Sequence, residues 1–300
     1  MRRAAAVLAG LLLAASAASA APLRVVATIQ PLGMLVRQIG GARVDVAVLV
    51  PPGASPHTFE PQPSDVAKLA QAALVAEVGG LDGWVRHLVS AAEHAPARFT
   101  VLDAPGLAPL AATGGHLEAG EDPRAARLDP HVWLDPLRVR DAIVPALVAA
   151  LTALDPDGRA DYAAAADAFR TQLTALDAEI RATLASRGRR FVAFHAAWRY
   201  FAERYGLEEI GVVEEAPGEE PTPKELVALV GRARDAGVPA ILVEPQLSPR
   251  IARALAAEFG ATTVLVDPNG DPTDPARADY GGLLRFDAAA FARALGAAPP

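Results

Sequence analysis

No cysteine occurs anywhere in the 300 residues. That absence excludes disulfide stapling, and it excludes attachment of a lipid through a lipobox cysteine. Positive charge is in deficit too, with 28 lysines and arginines against 35 aspartates and glutamates and a formal net charge of −7. An acidic chain of this kind is a poor match for nucleic acid. The His-Glu-x-x-His helix of metalloproteases is missing as well. The one long apolar run, Ala4 to Ala15, falls short of the roughly 20 residues that a membrane-spanning helix needs.

That run follows Met1-Arg2-Arg3 and precedes Ala18-Ser19-Ala20, so a basic start, an apolar core and small residues before a cut stand in order. The pattern predicts a secretory signal peptide over residues 1–20, cleaved near Ala20, and hence a soluble periplasmic protein more acidic than its precursor by the charges of Arg2 and Arg3. What remains exceeds the usual capacity of one hydrophobic core, so two domains are expected.

Strand-like runs at 23–29, 44–50 and 74–78 alternate with helical patterns at 31–39, 65–73 and 84–92. Such alternation predicts an α/β lobe with a mostly parallel sheet, over residues 21–154. Glycine, proline, alanine and scattered acids make 104–128 an exposed loop. Asp155-Pro156 then supplies an N-cap and a first-turn proline, and Tyr162, Ala166, Phe169, Leu173, Leu176, Ile180 and Leu184 follow at spacings of three and four. One long helix is predicted over 156–187, roughly 48 Å from end to end, inside a linking segment 155–188 that Gly188 closes. A second α/β pattern fills 189–300, with strands at 190–195, 211–213, 240–244 and 263–266 and helices at 198–205, 223–236 and 248–259. The expected architecture is two α/β lobes with parallel-type sheets, joined by one rigid helix.

Three of the six histidines stand in distinctive contexts. His57 lies in Pro56-His57-Thr58-Phe59-Glu60-Pro61, His131 in Asp129-Pro130-His131-Val132-Trp133-Leu134-Asp135-Pro136, and His195 in the segment from Phe194 to Phe201. Intervals of 74 and 64 residues are too long for a zinc-finger loop, so a shared site would have to be built by the whole fold. Asp267, in Val264-Leu265-Val266-Asp267-Pro268, adds a carboxylate at another strand end. Ligands of parallel sheets bind at the carboxyl ends of strands, and three imidazoles with one carboxylate make a four-coordinate set suited to Zn²⁺. Glu244 is the carboxylate that could replace Asp267 or support it. Glu60, Asp129 and Asp135 could orient imidazoles through the second ring nitrogen, Trp133 and Trp198 read as walls of the cleft, and His87 and His94 read as surface residues.

The His57, His131 and His195 segments resemble the motifs of the metal-specific solute-binding proteins of ABC importers, the cluster A-I zinc/manganese-binding family, and the resemblance extends over about residues 23–295. It implies a metal held in the cleft between the lobes, with His57 and His131 as first-lobe ligands, His195 as the third ligand and Asp267 as the second-lobe carboxylate. Manganese-selective members place a carboxylate where this chain has His195, and zinc-selective members a histidine. The chemistry agrees, since imidazole suits Zn²⁺ and a carboxylate-richer set suits Mn²⁺. Zinc is therefore the expected cargo, with an ABC permease as the partner, a periplasmic metallochaperone as a second candidate, and a monomeric state. Zinc importers of the family often carry a histidine- and acid-rich loop between the first two ligands. Here 104–128 has only His116, with Glu118, Glu121 and Asp122 nearby, so metal scavenging by that loop is not expected.

Competing readings stay open. Manganese or another divalent ion could be the cargo, and the scaffold could serve as an adhesin or metallochaperone. From a different class comes a secreted zinc hydrolase with three histidines and a metal-bound water. Four protein ligands would leave no position for that water, which favours a carrier over an enzyme.

Overall fold

The computed structural model describes residues 21–90, 94–112, 124, 127–214, 218, 221–246 and 249–296. The expected signal peptide, and His116 with Glu118, Glu121 and Asp122, lie outside them.

The first lobe runs β1 (Leu23–Ala27), α1 (Gln30–Gly40), β2 (Val44–Val48), α2 (Pro63–Ala70), β3 (Leu74–Glu77), α3 (Trp84–Ser90) and β4 (Ala97–Thr100). Its four strands pair in parallel in the order β2-β1-β3-β4. α4 (Pro136–Arg138), a π-turn at Val139–Ile143, and α5 (Val144–Leu154) lead to the long helix α6 (Arg159–Leu184). The second lobe follows with β5 (Arg190–His195), α7 (Arg199–Tyr205), β6 (Glu208–Glu214), α8 (Pro223–Asp235), β7 (Ala240–Val243), α9 (Pro249–Glu258), β8 (Thr262–Leu265) and α10 (Tyr280–Ala294). It repeats the same topology, all parallel, in the order β6-β5-β7-β8.

Local chemistry sets the helix starts. Pro63 and Pro223 occupy first turns, where a missing N–H costs nothing, and Asp65 and Glu225 close capping boxes behind them. Asp135 accepts from the Leu137 and Arg138 amides at the start of α4, and Asp279 accepts from Gly282 at the start of α10.

The long helix has 26 residues, about 39 Å, after a 3₁₀ turn at Pro156–Gly158. It starts later than predicted because Asp155 does not cap it, and it ends at Leu184, three residues before the predicted end. The Asp155 carboxylate instead accepts from Arg43, at 2.7 and 3.0 Å, and from the Tyr162 hydroxyl, at 2.6 Å. Gly158 is required beside this lash, since a Cβ there would fall 2.4 Å from Arg43 Nε. The apolar stripe of α6 is buried as its spacing predicts, from Tyr162 through Phe169 and Leu176 to Leu184. That stripe packs on α1, α4 and α5 on one side and on α10 on the other. A single core cluster therefore runs from Val25 and Leu35 through Phe169 to Phe191 and Phe291, across both lobes.

Candidate metal centre

Each histidine is delivered by the end of a regular element. His57 sits in a 3₁₀ turn, Pro56–Thr58, after β2; His131 precedes the 3₁₀ turn Val132–Leu134; His195 is the last residue of β5. The fold brings these three imidazoles together, with one nitrogen from each within 4.8 Å of the others. The His57 and His131 Nε2 atoms are 3.3 Å apart, as are those of His195 and His131. Tetrahedral zinc with Zn–N bonds of about 2.0–2.1 Å spaces its nitrogen ligands about 3.3 Å apart. The two edges that meet at His131 already have the length that such an ion requires.

Two of the rings are aimed by carboxylates. His131 Nδ1 lies 2.9 Å from Asp129 Oδ1, and His195 Nδ1 lies 2.9 and 3.0 Å from the two oxygens of Glu244. A carboxylate on Nδ1–H fixes the tautomer and turns the Nε2 lone pair to the centre. Gln246 in turn donates to Glu244 at 2.6 Å. His57 Nδ1 has no such partner among the described residues.

The electrostatics separate the rings. Burial, then the neighbouring His195 and His131 rings, hold the His57 pKa well below the ordinary histidine value, so its imidazole is neutral and ready to ligate. Burial also works against a charged His195, but the Glu244 carboxylate overcomes it and the net shift is upward. The position between Glu244 and the other imidazoles therefore favours a cation, whether proton or metal.

Asp267 is buried two residues beyond β8, outside the imidazole group. Its Oδ1 accepts from the Asn269 and Gly270 amides, both at 3.0 Å, and its Oδ2 pairs with Arg277 at 2.5 Å. Glu244 faces His195 Nδ1 and acts as the supporting carboxylate. Of the three acids expected to orient imidazoles, Asp129 does so. Asp135 caps α4 and pairs with Arg204 and Arg138, and Glu60 is exposed. Trp133 lies beside the site, its ring 5.4 Å from that of His131, whereas Trp198 packs into the Phe201–Phe291 cluster of the core. His87 and His94 are exposed, as expected.

Sequence reasoning did not single out the residues that fasten the His131 segment. The Tyr200 hydroxyl donates to the Asp129 carbonyl at 2.8 Å and accepts from the Leu110 amide at 2.9 Å. Trp133 Nε1–H donates to the Pro268 carbonyl at 2.7 Å, and the Tyr280 hydroxyl donates to the Trp133 carbonyl at 2.6 Å. Both tryptophan and tyrosine were present in the quoted motifs, but these partners lie 71 and 135 residues away.

A family model described as zinc-uptake complex component A, periplasmic, matches residues 25–294. The high-affinity zinc uptake system protein ZnuA of Paracoccus denitrificans is 29% identical over 302 residues, covering 91% of this chain and 92% of its own. The manganese-binding lipoprotein MntA of Halalkalibacterium halodurans is 30% identical over 242 residues, covering 79% of this chain and 76% of its own. Among solved structures, a ZnuA deletion mutant with zinc bound superposes with a TM-score of 0.79 at 32% identity, covering 93% of this chain and 100% of that one.

Proposed function

The chain belongs to the zinc-uptake complex component A family, periplasmic metal-binding proteins of ABC importers, and from that premise we propose that it captures Zn²⁺ and hands it to an ABC permease. The observation that carries the choice of zinc is the imidazole cluster in which His131 Nε2 lies 3.3 Å from the Nε2 atoms of both His57 and His195, an all-nitrogen face with two edges at the spacing of a tetrahedral ion. Manganese prefers oxygen donors, and His195 supplies nitrogen where oxygen would be needed. His57, His131 and His195 are the proposed ligands. Asp267 is proposed as the fourth, by exchanging its contact with Arg277 for the metal. Residues 21–154 and 189–300 are the proposed lobes, 155–188 the proposed link, and export by the segment 1–20, cut near Ala20, would place the protein in the periplasm.

Relatives named for metal uptake and metal binding support a carrier. Protein purified from its own compartment without added metal should contain one equivalent of zinc, and calorimetric titration of the stripped protein should give a Kd of nanomolar or tighter, about −12 kcal/mol. Manganese or iron in the purified protein would overturn the choice of cargo. Asp267→Ala should weaken zinc binding at least tenfold. Unchanged affinity would remove Asp267 from the ligand set and leave three imidazoles with solvent.

A further inference from the structure

Counting strands assigns His57 and His131 to the first lobe and His195 to the second, but the hydrogen bonds divide the site differently. The segment Asp129–Asp135 is fastened chiefly to second-lobe groups. Tyr200, on α7, holds the Asp129 carbonyl; Arg204, also on α7, forks onto the Asp135 carboxylate at 2.9 and 3.0 Å; Arg199 lies 3.8 Å from Asp129 Oδ2. From the far side, Trp133 reaches Pro268 and is itself held by Tyr280, at the start of α10. α7 begins four residues after His195. The helix that follows one ligand thus grips both flanks of another, 64 residues away in sequence.

The His57 loop is built otherwise. Ala54 donates to Pro51, Gln62 donates to the Glu60 carbonyl and to nothing in the second lobe, and Phe59 packs on Trp84 at 5.0 Å within the first lobe. Apart from the His57 ring itself, the described residues show no hydrogen bond from this loop to the second lobe.

Resting on the zinc-carrier reading, we infer that His131 and His195 form a preassembled pair that moves with the second lobe, that Tyr200 and Trp133 are the positioning residues of His131, and that His57 is the ligand whose approach closes the site and whose withdrawal opens it. Two imidazoles held at their final spacing capture the ion first. The third imidazole completes the triangle, and release begins when that third contact is broken.

Hydrogen exchange read by mass spectrometry on the metal-free full-length protein tests the division directly. Amides of 129–135 should exchange slowly and those of 51–62 fast, with zinc slowing only the second segment. Tyr200→Phe removes one hydroxyl, and with it the bonds to the Asp129 carbonyl and the Leu110 amide. It should speed exchange in 129–135 more than elsewhere, lower the melting temperature by no more than a few degrees for the two partners left unpaired, and raise the zinc dissociation rate about tenfold while the association rate holds. Trp133→Phe should do the same, and Tyr280→Phe serves if that variant fails to fold. His57→Ala should leave exchange in 129–135 untouched. Equal exchange of the two segments without metal, joint protection of both by zinc, or unaltered exchange and zinc release in Tyr200→Phe would each overturn the assignment. If the wild-type protein takes up no zinc, the carrier reading fails, while the metal-free exchange pattern still decides whether the His131 segment is anchored to the second lobe.

Discussion

The Glu244–His195 pair shows how much of the site is decided by single atoms. Glu244 is almost wholly buried, and a buried carboxylate without a cation is expensive. Here it accepts from His195 Nδ1, so the ring is fixed and a positive charge at the centre is favoured. Replacing Glu244 by Gln keeps the volume and removes the charge. Zinc affinity at neutral pH should fall roughly tenfold to a hundredfold, read by competition with a chelator. The pH dependence has a definite sign. With the His195 pKa raised, a proton competes for its ring at pH values above 6.5, so wild-type affinity should begin to fall above that value as the solution is acidified. His57, held low, enters only at much lower pH. In Glu244→Gln the onset should move down, and an unmoved onset would separate the carboxylate from the titration. At this scale the sequence was informative for the three imidazoles that the fold brings together, because His57, His131 and His195 sit in short motifs, and for Asp129, because it is two residues from the ring it orients. It marked Trp133 as a wall of the cleft but was silent on the partners of Tyr200 and Trp133, which are set by how two lobes meet.

Among elements, α6 was legible and its beginning was not. Periodicity predicts a buried stripe, and every position named for it is buried. The start depends on Asp155, where a local rule for caps loses to a long-range partner, Arg43, brought by the turn before β2. β4 and α10 escaped prediction for different reasons. β4 has four residues, with one fully buried side chain, too few for a period. α10 follows a run of turns, and its buried positions, including Asp287, do not make a clean apolar stripe. α5 is apolar on nearly every face, so no helical period stands out against its background. The Arg43 and Tyr162 hydrogen bonds pull the Asp155 pKa down to about 2. A folded pKa below the unfolded value of about 4 means the stabilisation is present above that pH and lost as pH falls through 2. Asp155→Asn should therefore lower the melting temperature by about 2 °C at neutral pH, on the order of 1 kcal/mol for a partly exposed pair. The difference from wild type should shrink between pH 4 and pH 2. A constant difference across that range would mean that packing around Gly158, and not charge, carries the lash.

On the scale of the molecule, both lobes hang on one helix and share one core. Trp133 crosses from the His131 segment to Pro268, and the loop beyond Asp267 returns the contact: a Cβ on Gly270 would fall 2.7 Å from Met34 Cε of α1. Wide hinge opening would have to expose this interlock to water. Zinc binding should leave the small-angle scattering profile unchanged within error, while raising thermal stability strongly. At about 1,000 times Kd the gain is roughly 4 kcal/mol, several degrees in melting temperature. A measurable contraction on adding zinc would show that the lobes do swing. The two-lobe plan was readable because strands and helices alternate twice with a helix between. The interlock was not, because it depends on which side chains face each other after both sheets have formed. The continuous seam along α6 has one more consequence, for recognition. A carrier that keeps its outline cannot announce its cargo by shape, so a membrane partner that must ignore empty molecules has to feel the few side chains at the rim of the imidazole triangle.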